Sequence, residues 1–293
     1  MFVDSLGLVT NVFRRQLDGG DSLAELVIEA YRRGIRAFEL RQGALGEYEC
    51  VLHGASATAL SRLAEQCPEA EFNVAIELPI FAREVSQLDP VFMNAREAAL
   101  ALCARPRGIH EATAHLRMVD LTLGAPLLAS AAFAAQLDCL DLLVNDALAS
   151  GVRVSFEHAL QPARVVREVI RRLGPLIETN GFVAGGNLGL CYDPCNLVNS
   201  PLEREDPIAV TAALSADEVL MFHIKQSHQG APLPYVAEGD VDWPGVLALI
   251  AAMGYAGPTL LEIAPSDDVW GNVERSRAYV TGVIQQLPGR PAV

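Results

Sequence analysis

The chain reads as an α/β protein folded into a (β/α)8 TIM barrel, and three observations predict it. Eight short apolar runs alternate with eight helix-patterned segments along 293 residues. No GxGxxG phosphate turn joins a strand to a helix, as a doubly wound nucleotide-binding sheet would have; the GGNLG string precedes a strand instead. Polar side chains gather at the C-terminal ends of the apolar runs, where such barrels keep their active sites. Residues 1–287 are therefore read as one barrel domain and 288–293 as a C-terminal tail.

The elements follow in order. SLGLVTNVF is the first strand region; Asp21 and Ser22 are N-cap candidates for a helix with Leu23, Leu26, Val27 and Ala30 on one face, and Gly34 closes it. AFELRQG is the second strand, ending in Glu39, Arg41 and Gln42, and an Ala/Leu-rich helix is expected from His53 to Gln66. EFNVAIELP carries Glu77, a helix is expected around Val91 to Cys103, and HLRMVDLTLG is read as a strand offering Asp120.

A long Ala/Leu helix ends near Ser150, and Gly151 turns the chain into RVSFEHAL, the fifth strand. Pro162 opens a helix that Gly174 is expected to cap, LGLCYDPCN is the sixth strand, and Asp206 and Pro207 start a short helix. VLMFHIKQ is the seventh strand, followed by a polar loop from Ser227 to Asp240 and a helix with Pro244 near its start. TLLEIAP is the eighth strand and Val273 to Leu287 the closing helix.

Half the residues are apolar and the formal net charge is -14, a field that repels nucleic acid, and no Lys/Arg run offsets it. Six cysteines lie scattered without a CxxC pair, and neither a signal peptide nor a membrane-spanning apolar stretch is recognised. A reduced, cytoplasmic protein with a small-molecule substrate, no nucleic-acid partner and no membrane association is expected.

Four polar residues carry the chemistry. Glu157, Asp193 and Glu262 end three apolar runs, and His223 interrupts a fourth, one in each of four successive units. Counting back by twos gives Ser155, Cys191, Met221 and Leu260, so each polar residue caps a row facing the barrel interior. Three carboxylates converging without a cation repel one another, whereas a divalent ion neutralises them. Three oxygen donors and one imidazole suit Mn2+, Mg2+ or Co2+, and Zn2+ also fits the ligand types. The plainer reading of such carboxylates is strand capping or pairing with Arg and Lys.

Other residues take smaller parts. Lys225, on the same strand face as His223, is a candidate clamp for substrate oxygen, a salt bridge to a metal ligand being the other reading. Glu39 and Arg41 share a face and are candidates for sugar hydroxyls or for an internal ion pair. Asn196 is a candidate for orienting a ligand or substrate hydroxyl, and Glu77 for substrate contact. His158 is assigned a supporting role. Trp243 and Cys195 are read as packing; Trp270 is too, with a pocket wall as its other role.

Glu157, Asp193 in YDPCN, His223 in FHIK, the EGDVDWPGVLALIAAMGYAG segment and Glu262 in LLEI together resemble the xylose-isomerase-like TIM-barrel superfamily of sugar isomerases and epimerases, over nearly the whole chain. The resemblance implies that these four residues are the metal set. The sequence departs from the three-zinc apurinic endonucleases, having Asn196 and Asp242 where histidines belong, and from ketose 3-epimerases, which usually carry a His at the position of Asn196 and a Glu-to-Arg stretch after the strand-seven His, where this chain reads HIKQSHQG. The HIK start is similar to inositol-catabolism and dehydratase-like members.

The implied activity is a divalent-metal-dependent isomerase or epimerase acting on a sugar or related polyhydroxy carbonyl compound through an enediolate, with Glu157 and Glu262 as ligands and acid/base groups. A lyase, dehydrating a keto-inositol or dehydroshikimate-like compound on the same scaffold, is the alternative; a non-catalytic binding subunit and an apurinic endonuclease rank below it. A homodimer is the candidate assembly, since dimers are common among the relatives.

Overall fold

The computed structural model describes residues 6–49, 62–63, 65–77, 113–117, 129 and 131–287. Most of the helix expected from His53 to Gln66, the helix around Val91 to Cys103, Asp120 and the tail lie outside the described residues. The barrel strands are β1 (Leu6–Val9), β2 (Ala37–Arg41), β3 (Glu71–Glu77), β4 (Thr113–Arg117), β5 (Arg153–Glu157), β6 (Leu188–Tyr192), β7 (Val219–Ile224) and β8 (Thr259–Leu261). They are parallel and close in the order β1-β8-β7-β6-β5-β4-β3-β2. The helices are α1 (Arg14–Asp18), α2 (Leu23–Arg32), α3 (Ala131–Ala149), α4 (Ala163–Thr179), α5 (Pro194–Asn199), α6 (Pro207–Ala212), α7 (Trp243–Ala252) and α8 (Val269–Gln285). Among the described residues no helix is long and apolar enough to cross a membrane.

Local chemistry sets several boundaries. Ser22 accepts the Glu25 amide at 3.4 Å and Glu47 accepts those of Leu23 and Ala24, so the start of α2 is capped from two sides. Gly34 closes that helix at φ +87. The sixth strand stops at Tyr192 because Asp193 becomes an N-cap, its Oδ1 accepting the amides of Cys195 and Asn196. The closing helix starts earlier than Val273, at Val269, with Asp268 as its cap.

Gly174 does not end α4, which continues through Pro175 to Thr179. Pro175 removes one helical hydrogen bond. The buried stripe Val166, Val169, Leu173 and Ile177 nevertheless keeps helical spacing across it, and burying Ile177 offsets the loss. The Ser227–Asp240 loop contains a small hairpin pairing Ser227–His228 with Ala231–Pro232.

Two apolar cores result. The larger fills the space between barrel and helices, and a small plug of Val9, Ala37, Cys191, Met221 and Leu260 fills the barrel. Ser155 reaches the same interior, its hydroxyl 3.3 Å from the Met221 sulfur. The rows expected to face inward therefore do so, and their polar ends stand above this plug.

Candidate metal centre

Glu157 ends β5, Asp193 follows β6, His223 lies in β7 and Glu262 follows β8. All four are buried, and a donor atom from each lies within 4.8 Å of the others. His223 Nδ1 faces Glu262 Oε2 at 3.4 Å, Glu157 Oε1 at 3.9 Å and Asp193 Oδ2 at 4.0 Å. That nitrogen is buried and has no hydrogen-bond partner. A buried ring nitrogen without a hydrogen bond, surrounded by three carboxylates, costs stability on its own and fits coordination to a cation. The donor set is thus able to hold a divalent metal ion.

Fixed cations brace the carboxylates from outside. Arg117 Nε lies 2.8 Å from Glu157 Oε2 and its Nη1 binds Glu77; Arg41 binds Glu262. Lys225 Nζ lies 2.7 Å from Asp193 Oδ2 and 2.9 Å from Glu262 Oε2. Asn196 Nδ2 donates to Glu157 Oε1 at 2.8 Å, and His158 Nε2 accepts the Asp193 amide at 3.2 Å. Beneath them Glu39 Oε2 joins His115 Nδ1 at 2.8 Å and His223 Nε2 at 2.9 Å.

The electrostatics follow from these contacts. Burial raises the pKa of Glu157, but Arg117 and His115 hold it well below the usual carboxylate range. Burial likewise raises Glu262, and Lys225 and Arg41 pull it well down. Asp193 is pushed up to about 6 by burial; Lys225 lowers it while Glu262 and Glu157 oppose ionisation. Burial would lower Lys225, yet Asp193 and Glu262 hold its pKa above the ordinary value. Among the described residues, five carboxylates (Glu39, Glu77, Glu157, Asp193, Glu262) meet three fixed cations (Arg41, Arg117, Lys225). The imbalance is the charge of one divalent ion or of two imidazoliums. Without an ion, burial opposes charge on His115 and His223, but the surrounding acidic groups raise both well above the ordinary imidazole value, and a bound ion would replace that charge.

A cleft of ≈ 420 Å³, whose lining includes Asn11, Arg14, Arg41, Gln42 and Glu77, adjoins the centre through Arg41, which binds Glu262, and through Glu77, which binds Arg117. Arg41 and Glu77 both line this cleft. Glu39 does not: it is completely buried, forms no pair with Arg41, and serves two imidazoles instead of sugar hydroxyls. Spacing gives the face of a strand but not the depth, and Glu39 lies one layer below Arg41.

Lys225 is paired with two ligand candidates, and Asn196 orients a third. Trp270 packs on Phe13 and under Arg33, and Trp243 is buried. Cys195 is also buried, its thiol pushed up to about 12 by burial and Asp193. Sequence reasoning passed over His115 and Arg117. They alternate on β4, and their contacts with Glu39 and Glu157 show both facing the interior.

Among curated proteins none matches the chain. Among solved structures it is similar to a xylose isomerase domain protein from Planctomyces limnophilus, at 15% identity over 90% of this chain and 93% of that one, TM-score 0.65. It is similar to the IolI protein solved with a zinc atom, at 14% identity over 96% of each chain, TM-score 0.65. It is also similar to L-ribulose 3-epimerase, at 16% identity over 98% of this chain and 99% of that one, TM-score 0.64. At such identities the likeness is one of fold. The family described as xylose isomerase-like TIM barrel matches residues 29–279, which take in β2 through β8 and all four members of the donor set, and the chain belongs to that family.

Proposed function

We propose that this protein is a divalent-metal-dependent isomerase or epimerase of a sugar or related polyhydroxy carbonyl compound. The observation that carries the reading is the unpartnered Nδ1 of His223 facing one oxygen each of Glu157, Asp193 and Glu262 at the C-terminal mouth of the barrel. A divalent ion held by these four residues supplies the Lewis acidity that makes a carbon-bound proton beside a carbonyl removable. Neighbours solved as an epimerase and with bound zinc support the reading.

The chain's own residues do the rest. Glu157 and Glu262 are kept ionised by Arg117 and by Lys225 with Arg41, so each is ready to accept a proton. One carboxylate removes the proton from carbon; the other, ionised like it, takes a proton from solvent and returns that one to the carbon, so solvent hydrogen enters the product. Arg41 and Glu77, at the cleft, bind and orient substrate hydroxyls.

The test is solvent exchange. Ketoses and keto-cyclitols incubated in D2O with protein and Mn2+ are expected to gain deuterium at the carbon beside the carbonyl, with composition otherwise unchanged. Glu262→Gln is expected to lower the exchange rate at least about a hundredfold. Loss of water from the substrate identifies a lyase instead; a protein that binds no divalent ion and exchanges no proton rejects both.

A further inference from the structure

A single oxygen of Glu39 receives both imidazoles of the barrel interior, His115 Nδ1 at 2.8 Å and His223 Nε2 at 2.9 Å. All three side chains are buried, and the rings meet edge to face with centroids 5.3 Å apart. An ionised carboxylate only accepts hydrogen bonds, so each nitrogen facing it carries a proton. The remaining nitrogens point upward to the candidate metal centre. His223 Nδ1 faces Glu157, Asp193 and Glu262, and His115 Nε2 lies 3.4 Å from Glu157 Oε2.

We propose that Glu39 is a positioning residue for the metal centre: its one oxygen fixes the tautomer of His223 so that Nδ1 is presented to the ion, and holds His115 against Glu157. The proposal rests on the metal-dependent reading above. One buried group on β2 thus aligns one of the four donors, His223, directly and the neighbour of a second, Glu157, through His115. A metal-ligating histidine needs its second nitrogen anchored, and loss of such an anchor typically weakens metal affinity about 10–100-fold.

The same rings allow one competing use. His115, Cys191 and His223 also bring donor atoms within 4.8 Å of one another, a softer set able to take an ion of its own. Two observations favour the hydrogen-bonded arrangement: Glu39 already binds both rings, and Cys191 packs in the apolar plug with Val9, Ala37, Met221 and Leu260.

Glu39→Gln tests the proposal in the full-length protein. One Glu39 oxygen serves both rings and the other, Oε1, is buried without a partner. An amide NH2 left at that place would be unsatisfied, so the amide turns its NH2 toward the rings and requires a lone pair from at least one of them. Nitrogen NMR of the histidine side chains is expected to show His223 protonated at Nε2 in the wild type and a changed tautomer in at least one ring of Glu39→Gln. Co2+ affinity is expected to fall about 10–100-fold. Glu39→Asp, which keeps two acceptor oxygens, is expected to retain both wild-type tautomers and guards against a folding defect in the amide variant. Unchanged tautomers with Co2+ affinity within about twofold of wild type overturn the proposal. So does a second bound Co2+ whose thiolate charge-transfer band disappears in Cys191→Ser. Wild-type protein that binds no Co2+ rejects the metal-dependent reading, while the tautomer comparison still judges the role of Glu39.

Discussion

The Lys225 ammonium lies 2.7 Å from Asp193 Oδ2, the oxygen that faces His223 Nδ1 at 4.0 Å. The lysine thus contacts the donor atom that a metal ion would use, and it contacts Glu262 Oε2 in the same way. A dication about 4 Å from an ammonium is opposed by roughly 8 kcal/mol at an effective dielectric near 20, before any relaxation. Lys225→Met is therefore expected to bind Mn2+ at least about tenfold more tightly than wild type, about 1.4 kcal/mol of that opposition being enough. Without added metal the same variant is expected to melt at a lower temperature, since Asp193 and Glu262 lose their shared cation. Calorimetric Mn2+ titration and thermal unfolding with and without Mn2+ check both outcomes; weaker Mn2+ binding contradicts the argument.

Asn196 touches two members of the donor set. Its side chain donates to Glu157 Oε1 at 2.8 Å, and its backbone amide donates to Asp193 Oδ1 at 3.2 Å. Only the first contact is lost in Asn196→Ala, and Glu157 then keeps Arg117 on its other oxygen alone. Metal affinity is expected to fall about tenfold. Asn196→Asp should lose less, because the added negative charge attracts the ion, while its metal-free form should be less stable as another carboxylate joins a cluster in which Asp193 already resists ionisation. Parallel metal titrations of the two variants give the order.

The strand-end quartet was legible in the sequence because alternation is rigid: Ser155, Cys191, Met221 and Leu260 reach the barrel interior, and Glu157, Asp193, His223 and Glu262 stand above them. The partners of that quartet were harder to read. Arg117 binds Glu157 from the next strand, and such pairing depends on register, here Arg117 beside Glu157 and Glu77 beside Arg117. Glu39 was visible as an inward residue, but its depth, and so its service to imidazoles instead of substrate, depends on where the barrel floor lies. Gly174 and Pro175 carry the local chemistry of a helix end, and the buried stripe reaching Ile177 overrides it.

The floor itself depends on Gly7. A methyl group there would stand 2.4 Å from the Leu260 side chain and 2.5 Å from the Ala37 carbonyl oxygen. The second contact is with backbone, which cannot turn aside as a side chain can. Gly7 is paired with Leu260 across β1 and β8, so the clash would press directly on the plug beneath the donor set. Gly7→Ala is expected to cost about 2–4 kcal/mol, a strained overpacking loss. Urea unfolding measures it, and a variant as stable as wild type would show that the strands separate freely at this point.

Glu71, at the start of β3, gives the pH dependence a definite sign. Burial raises its pKa from 4.5 to about 7, with Arg153 only partly countering the shift. The folded state therefore favours the protonated carboxyl. Its stabilising contribution is complete below pH 4.5, falls as pH rises, and is gone above about 7, where folding must hold an ionised and partly buried group. The full shift corresponds to roughly 3 kcal/mol, which solvent screening of the partly exposed group reduces to on the order of 1–2 kcal/mol. Glu71→Gln, neutral at every pH, is expected to be more stable than wild type by that amount at pH 8 and nearly equal to it at pH 4. Comparing the two proteins by urea unfolding at each pH cancels the titration of the other carboxylates. An advantage that is the same at both pH values would mean that Glu71 is already ionised at pH 4 and that burial does not govern its proton.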